Sequence, residues 1–394
     1  MRINRSLARW VAIPAVCFIT TCTPLLAQPP SLDVPASSLK NGLTKTDEDK
    51  IRQYVKYYIG IIRNAKNDKQ LRNGRVGLVE GYRRYGDSTY FQYTCARISA
   101  EEGKAALKEF TDPARQINLA MAFSSMSQVS IQSVLEAMIV HENPAVRYFG
   151  WRGYYGIRRS VLAQDAQYTS KMFASIAKAA RDEDSPPVFG QMLQVMDLTS
   201  SGAGVDAKTL TDAQARLVAI LDKHWRKWCL QVRAGDDEMS AACGVGVRLL
   251  PKLAPGVIAK DKKNKAKLLQ MTINMAMAAA QAYQVAEQRI ALENQTAEAK
   301  LAAQRVLEAN ATLLVDCEAA LNALAATNEK VITRALTGAG VPPPRWAQVQ
   351  REVLDWADEL KKEGVVAPPF PPPKPPTTAP ATATAPATAP AAGK

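Results

Sequence analysis

Few residues in this chain are equipped for chemistry. There are two histidines, His141 and His224, and six cysteines among 394 residues. His141-Glu142 opens like a helical zinc motif, which needs a second histidine four residues on so that one helix face presents both rings to the metal. The sequence continues Asn143-Pro144-Ala145, so no metal site is expected. Ser175 with Lys178, and Ser37 with Lys40, have the SxxK spacing of a serine activated by a lysine, but neither has the KTG partner of that chemistry. GxSxG and the phosphate-binding GxxxxGK are absent, and Gly244-Val245-Gly246 is a bare GxG in a helical context. No catalytic residue and no cofactor is assigned.

Two basic-aromatic groupings could bind a partner. Ten of the twelve tyrosines fall between Tyr54 and Tyr155, with Trp151 and several arginines among them. Tyrosine and arginine are enriched where proteins recognise one another, which makes Tyr82, Arg83, Arg84, Tyr85, Trp151, Arg152, Tyr154 and Tyr155 the candidate binding residues. Tyr54 with Tyr58, and Tyr148 with Trp151 and Tyr155, also have the helical spacing of interior packing. The second grouping, DKHWRKWCLQVR, places Trp225 and Trp228 on one stripe with Leu217, Leu221 and His224, while Lys223 and Lys227 lie off it. That is a core face beside a solvated one.

Glu101 and Glu102 are the acids available to an enzyme acting on a polymer, which would need two carboxylates about 5–10 Å apart across a cleft. Asp182-Glu183-Asp184 and Asp236-Asp237-Glu238 stand at helix junctions, where carboxylates cap the next helix; calcium binding wants spaced, Gly-punctuated oxygens. Gly235 marks a turn with Cys229 six residues before it and Cys243 eight after it. Level positions across an antiparallel helix pair make Cys229–Cys243 the expected disulfide, with Cys95 and Cys317 as buried thiols.

The elements that carry these residues are helical. Ile131, Val134, Leu135, Met138 and Ile139 follow the i, i+3, i+4, i+7, i+8 pattern, and Thr46 with Asp49 reads as a capping box before Ile51, Val55 and Ile59. No comparable period-2 run exists, so the chain reads as all-α. Three turn signals recur: Asp112-Pro113-Ala114-Arg115, Asn143-Pro144-Ala145-Val146-Arg147 and Asp184-Ser185-Pro186-Pro187-Val188. In each, a polar cap followed by proline in the first turn restarts a helix. Over about residues 105–200 this resembles HEAT-type helical repeats, whose second helix often opens on such a turn; Asn143 to Arg147 carries the likeness, the first copy lacking the valine and the third the arginine. The resemblance implies a scaffold or binding surface.

Between Gly256 and Gly338 there is neither glycine nor proline, which predicts a long helical hairpin turning near Asn294 to Thr296. Leu307, Leu314 and Leu321 recur every seven residues, a seam suited to self-association. Pro342-Pro343-Pro344 opens, and Gly364 closes, an amphipathic pattern through Val349, Val353, Trp356 and Leu360. The end of the chain, with ten of its 24 prolines after Ala367, reads as disordered.

Residues 1–27 have a basic start at Arg2, Arg5 and Arg9, an apolar run broken by Pro14 and Pro24, and Ala27 at the exit: a secretory signal peptide. Cys22 offers a lipid anchor as the minor alternative. Without those three arginines the chain, formally +13, stays basic and is drawn to polyanions. The expectation is therefore an exported, periplasmic or extracellular all-α protein. It has a linker over 28–43, an irregular α-solenoid-like repeat array over 44–256, a long helical hairpin over 257–340, a terminal helix over 341–364 and a tail over 365–394. Its expected role is a non-catalytic scaffold for a protein or envelope polymer, with no nucleic-acid partner and no transmembrane segment in the mature chain. The alternatives are an enzyme on a wall polymer and a structural oligomer formed through the seam.

Overall fold

The computed structural model describes residues 28–337 apart from 165, 198–204, 259–261 and 329, together with 355 and 358. The leader, the tail and, but for those last two residues, the terminal helix lie outside the described residues. Among the described residues there are fourteen α-helices and no strand. A short α1 (Ala36–Asn41) precedes six pairs: α2 (Lys45–Arg63) with α3 (Asp68–Arg83), α4 (Thr89–Glu109) with α5 (Pro113–Phe123), α6 (Gln132–Met138) with α7 (Pro144–Leu162), α8 (Ala166–Asp182) with α9 (Pro186–Val195), α10 (Ala207–Arg233) with α11 (Asp237–Ile258), and α12 (Lys262–Ala291) with α13 (Ala297–Ala325). A final α14 (Val331–Thr337) packs on α13.

The pairs stack into two rows. From α3 to α13 each odd-numbered helix touches the next odd one; α2, α4 and α6 form a second row, and α8, α10 and α12 continue it. Such stacking lets units that cannot bury a face alone share one continuous core. The 256 boundary is not a break, because α12 lies on α10 and α13 on α11, so the hairpin is the last and longest pair of the array.

Local chemistry explains where the helices begin. Pro113, Pro144 and Pro186 open α5, α7 and α9, all in the odd row; Asp112 accepts from Ala114 N at 2.9 Å and Asn143 from Ala145 N at 2.9 Å. The capping box of α2 is Thr44 with Asp47, not Thr46 with Asp49: Thr44 Oγ1 accepts from Asp47 N and Asp47 Oδ2 from Thr44 N. Both pairs share the T-x-x-D spacing, and the helix starts at the earlier one. Its hydrogen bonds from Thr44 hold the buried Asp47 carboxyl below its ordinary range. Gly235, at φ 88°, makes the turn between α10 and α11, and Asp236 caps α11 by accepting from Met239 N at 2.8 Å.

Two expectations, the linker and the disulfide, are corrected. Residues 28–43 are docked, not a free linker: Leu32 and Val34 are buried, Tyr85 Oη donates to Leu32 O at 3.1 Å, and Ser88 Oγ donates to Leu39 O at 2.7 Å. Two apolar residues at strand-like spacing suffice to fix a short segment on a ready-made surface. The seam of α13 is turned largely to the interior: Leu314 and Leu321 are buried and Leu307 is half-buried against the core, on a helix that packs on α11 and α12. Cys229 and Cys243 are free buried thiols, as are Cys95 and Cys317. Equal distance from a turn sets the level along two helices, not the rotation and axis separation that decide whether two Cβ atoms meet. Burial pushes the Cys95 thiol up to about 12 and raises the other three as well.

Much of the early tyrosine content serves packing against glycine. Tyr54 lies over Gly81 and Tyr58 over Gly77, where a Cβ would fall inside the ring, and Tyr54 Oη donates to Gly77 O at 3.1 Å. Gly103 meets the fully buried Phe123 in the same way, whereas Gly156 on α7 faces open space. We expect Gly103→Ala to destabilise by about 1–3 kcal/mol through overpacking and Gly156→Ala to stabilise by about 0.5–1 kcal/mol through helix propensity. Urea unfolding followed by circular dichroism reads both, and equal effects would refute the packing account.

Candidate functional site

The eight candidate binding residues separate. Tyr82, Trp151 and Tyr154 belong to the core; Tyr82 Oη accepts from Ser127 N at 3.1 Å, and the Trp151 and Tyr154 rings pack at 5.8 Å. Burial pushes the phenols of Tyr82 and Tyr154 up, so neither offers a charge. Tyr85 is spent on the N-terminal segment, and Arg84 pairs with Asp33 at 3.0 Å. Tyr155 is 41% exposed and carries the Arg158 guanidinium over its ring at 3.8 Å. On a helix, neighbouring residues point 100° apart, so a cluster in sequence is spread around the helix and divides between core and surface.

Arg83 and Arg152 do meet. They line a cleft of about 390 Å³ in the odd row, with Arg75, Val76, Val79 and Glu80 of α3, Met121, Ser124 and Ser125 at the end of α5, and Phe149 of α7. Arg75, Val79 and Arg83 stand four residues apart, one stripe of α3, opposite the glycines that receive Tyr54 and Tyr58. Phe149 and Arg152 repeat the arrangement on α7. Arg75 Nη1 reaches Met121 Sδ at 2.9 Å, and among the described residues no carboxylate pairs with Arg75, Arg83 or Arg152. Most arginines elsewhere are paired: Arg52 with Glu101 and Glu102, Arg97 with Glu48 and Glu101, Arg147 with Glu183, Arg248 with Asp316. The cleft thus holds three guanidiniums against Glu80, above an apolar floor of Val76, Val79, Met121 and Phe149. Ser124 and Ser125 donate to Met121 O and keep their oxygens as acceptors. Arg75 and the α5 residues were missed from sequence; the four-residue stripe was readable, its meeting with α5 and α7 was not.

The residues considered for catalysis are committed to structure. Glu101 sits between Arg52 at 2.7 Å and Arg97 at 3.0 Å. Burial alone would raise its carboxyl, but the two guanidiniums hold it below the ordinary range, so it is ionised at neutral pH and cannot donate a proton. His141, Ser175 and Lys178 do share a cleft of about 340 Å³ at the junction of α6, α7 and α8. Burial keeps His141 neutral, and its Nδ1 accepts from Asn143 N at 3.1 Å. The remaining ring nitrogen therefore carries the proton and cannot act as base toward Ser175. Among the described residues no three His, Cys, Asp or Glu side chains are placed to hold a metal, and no helix is long and apolar enough to cross a membrane. Trp225 and Trp228 are buried, as their stripe predicted.

No protein-family model matches the chain, and no curated protein does. Among solved structures it is similar to the crystal structures of two engineered proteins. One is 11% identical with a TM-score of 0.34, over 65% of this chain and 98% of the other. The second is 16% identical with a TM-score of 0.22, over 85% and 93%. Likenesses this low carry no argument about fold or function.

Proposed function

We propose that the protein is an exported, HEAT-like helical scaffold that binds an acidic protein segment or an anionic envelope polymer in the cleft of α3, α5 and α7. The observation that carries this reading is the set of three arginines, Arg75, Arg83 and Arg152, gathered in one cleft without a carboxylate partner among the described residues. Guanidiniums present forked donors that suit carboxylate and phosphate, and the apolar floor accepts the uncharged part of the ligand. The HEAT-like part rests on the Asn143-Pro144 turn and on Arg147, which crosses to Glu183 at the head of the next pair's second helix.

The test is binding of fluorescent polyglutamate to the full chain and to the triple variant R75Q/R83Q/R152Q, with dextran as the uncharged control. At about 1 kcal/mol for each charge-assisted contact, the triple variant should bind about 100-fold more weakly. Unchanged affinity in the variant, or a wild-type interaction lost equally from both proteins in modest salt, would leave only the overall basic charge as the attraction.

A further inference from the structure

A second cleft, in the other row of helices, has a different character. It lies between α8 and α10, encloses about 600 Å³, and is lined by Ala177, Lys178, Arg181, Ala219, Ile220, Lys223 and His224. Ala177 and Ala219 open the space, because methyl side chains cannot fill the gap between two helices. No acidic residue lines it. Lys178 and Lys223 make no ion pair among the described residues, while Arg181 pairs with Asp182 at 2.6 Å and Lys227 Nζ donates to Arg181 O at 2.8 Å. Asp222, the nearest acid in sequence on α10, is taken by Lys267 of α12 at 2.9 Å. With Arg181 balanced by Asp182, the excess charge of Lys178, Lys223 and Lys227 stays at the rim. Burial, then Lys223, Lys227 and Arg181, push His224 below its ordinary range against the opposing pull of Asp182, so it is neutral at pH 7.

We propose that this groove binds a phosphoryl group, held by Lys178, Lys223, Arg181 and His224, with the body of the ligand on Ala177, Ala219 and Ile220. A carboxylate has two oxygens and one charge; a phosphoryl ester has three free oxygens and up to two charges, the better match to lysine point charges converging with a histidine N–H. The arriving dianion favours the imidazolium and so raises the His224 pKa.

Only two histidines exist, so one ring reports the site and the other serves as reference. The experiment follows both imidazole signals of the full chain by NMR across pH, with and without inorganic phosphate at matched ionic strength. The expected result is a saturable rise of the His224 pKa by about 0.5 unit or more, well beyond any change at His141, whose cleft Lys178 also lines, at least tenfold weaker in K178Q/K223Q and unchanged in R75Q/R83Q/R152Q. Sedimentation with phosphatidic acid vesicles, whose headgroup is a phosphate monoester, phosphatidylcholine being the control, assigns the source: binding displaced by phosphate means a lipid headgroup, and no binding means a soluble ester. The proposal is overturned if both histidines shift together, if the shift does not saturate, or if K178Q/K223Q titrates like the wild type.

Discussion

Replacing Arg147 by alanine should cost about 3–5 kcal/mol of stability, the range for breaking a buried ion pair by removing one partner. Arg147 Nε and Nη2 meet the two oxygens of Glu183 at 2.9 and 2.8 Å, and Nη1 donates to the carbonyls of His141 at 3.0 Å and Glu142 at 2.8 Å. The side chains are 17% and 3% exposed, respectively, so solvent screening is slight. Without the guanidinium, the largely buried Glu183 carboxylate keeps the Ser185 N–H at 3.0 Å as its short-range donor. The loss falls on the joint between the third and fourth helix pairs, and in a stacked array each unit leans on its neighbours. We therefore expect urea unfolding by circular dichroism to shift to lower midpoint and to split in two. Arg147→Lys keeps the charge but loses the fork, and should fall between the two. A loss under about 1 kcal/mol for Arg147→Ala would reduce the pair to an ordinary surface contact.

Trp228→Ala should cost a similar amount, about 3–5 kcal/mol, from transfer and cavity terms. The indole is fully buried, packs on Phe189 at 4.4 Å and lies edge-on to Trp225 at 5.7 Å. Its Nε1 has no hydrogen-bond partner among the described residues, whereas Trp225 Nε1 donates to Met271 O at 2.6 Å. Phenylalanine therefore separates the two: Trp228→Phe loses volume alone, while Trp225→Phe also loses a hydrogen bond to Met271 O, a carbonyl that lies within α12 and keeps its helical donor, worth a further loss of about 0.5–1.5 kcal/mol. Thermal unfolding of the three variants gives the ordering. Equal losses for the two phenylalanine variants would refute the assigned bond, and a Trp228→Ala variant as stable as the wild type would mean that the pair is a surface platform.

The readable parts were those set by local chemistry. Helix starts at Pro113, Pro144 and Pro186, the turn at Gly235, the hairpin turn before the Thr296 cap and the buried stripe through Trp225 and Trp228 each depend on residues within a few positions of one another. The candidate site was half legible. Arg83 and Arg152 were picked out with Tyr82, Trp151 and Tyr154, because enrichment in Tyr and Arg is the same signal whether a ring faces a partner or packs over a glycine such as Gly77 or Gly81.

What the sequence determined by itself is an all-helical chain with few reactive groups, a basic balance and helices capped at predictable places, since these follow from composition and from contacts along the chain. Only the tertiary structure decided which arginines share a cleft, that the α13 seam turns largely to the interior, that Cys229 and Cys243 stand as separate thiols, and that Leu32 and Val34 tie down the N-terminal segment. The physical reason is rotation and approach. Periodicity tells which side of a helix is apolar, but what covers that side depends on how distant helices turn and pack against it, and that is settled by interactions among residues dozens of positions apart.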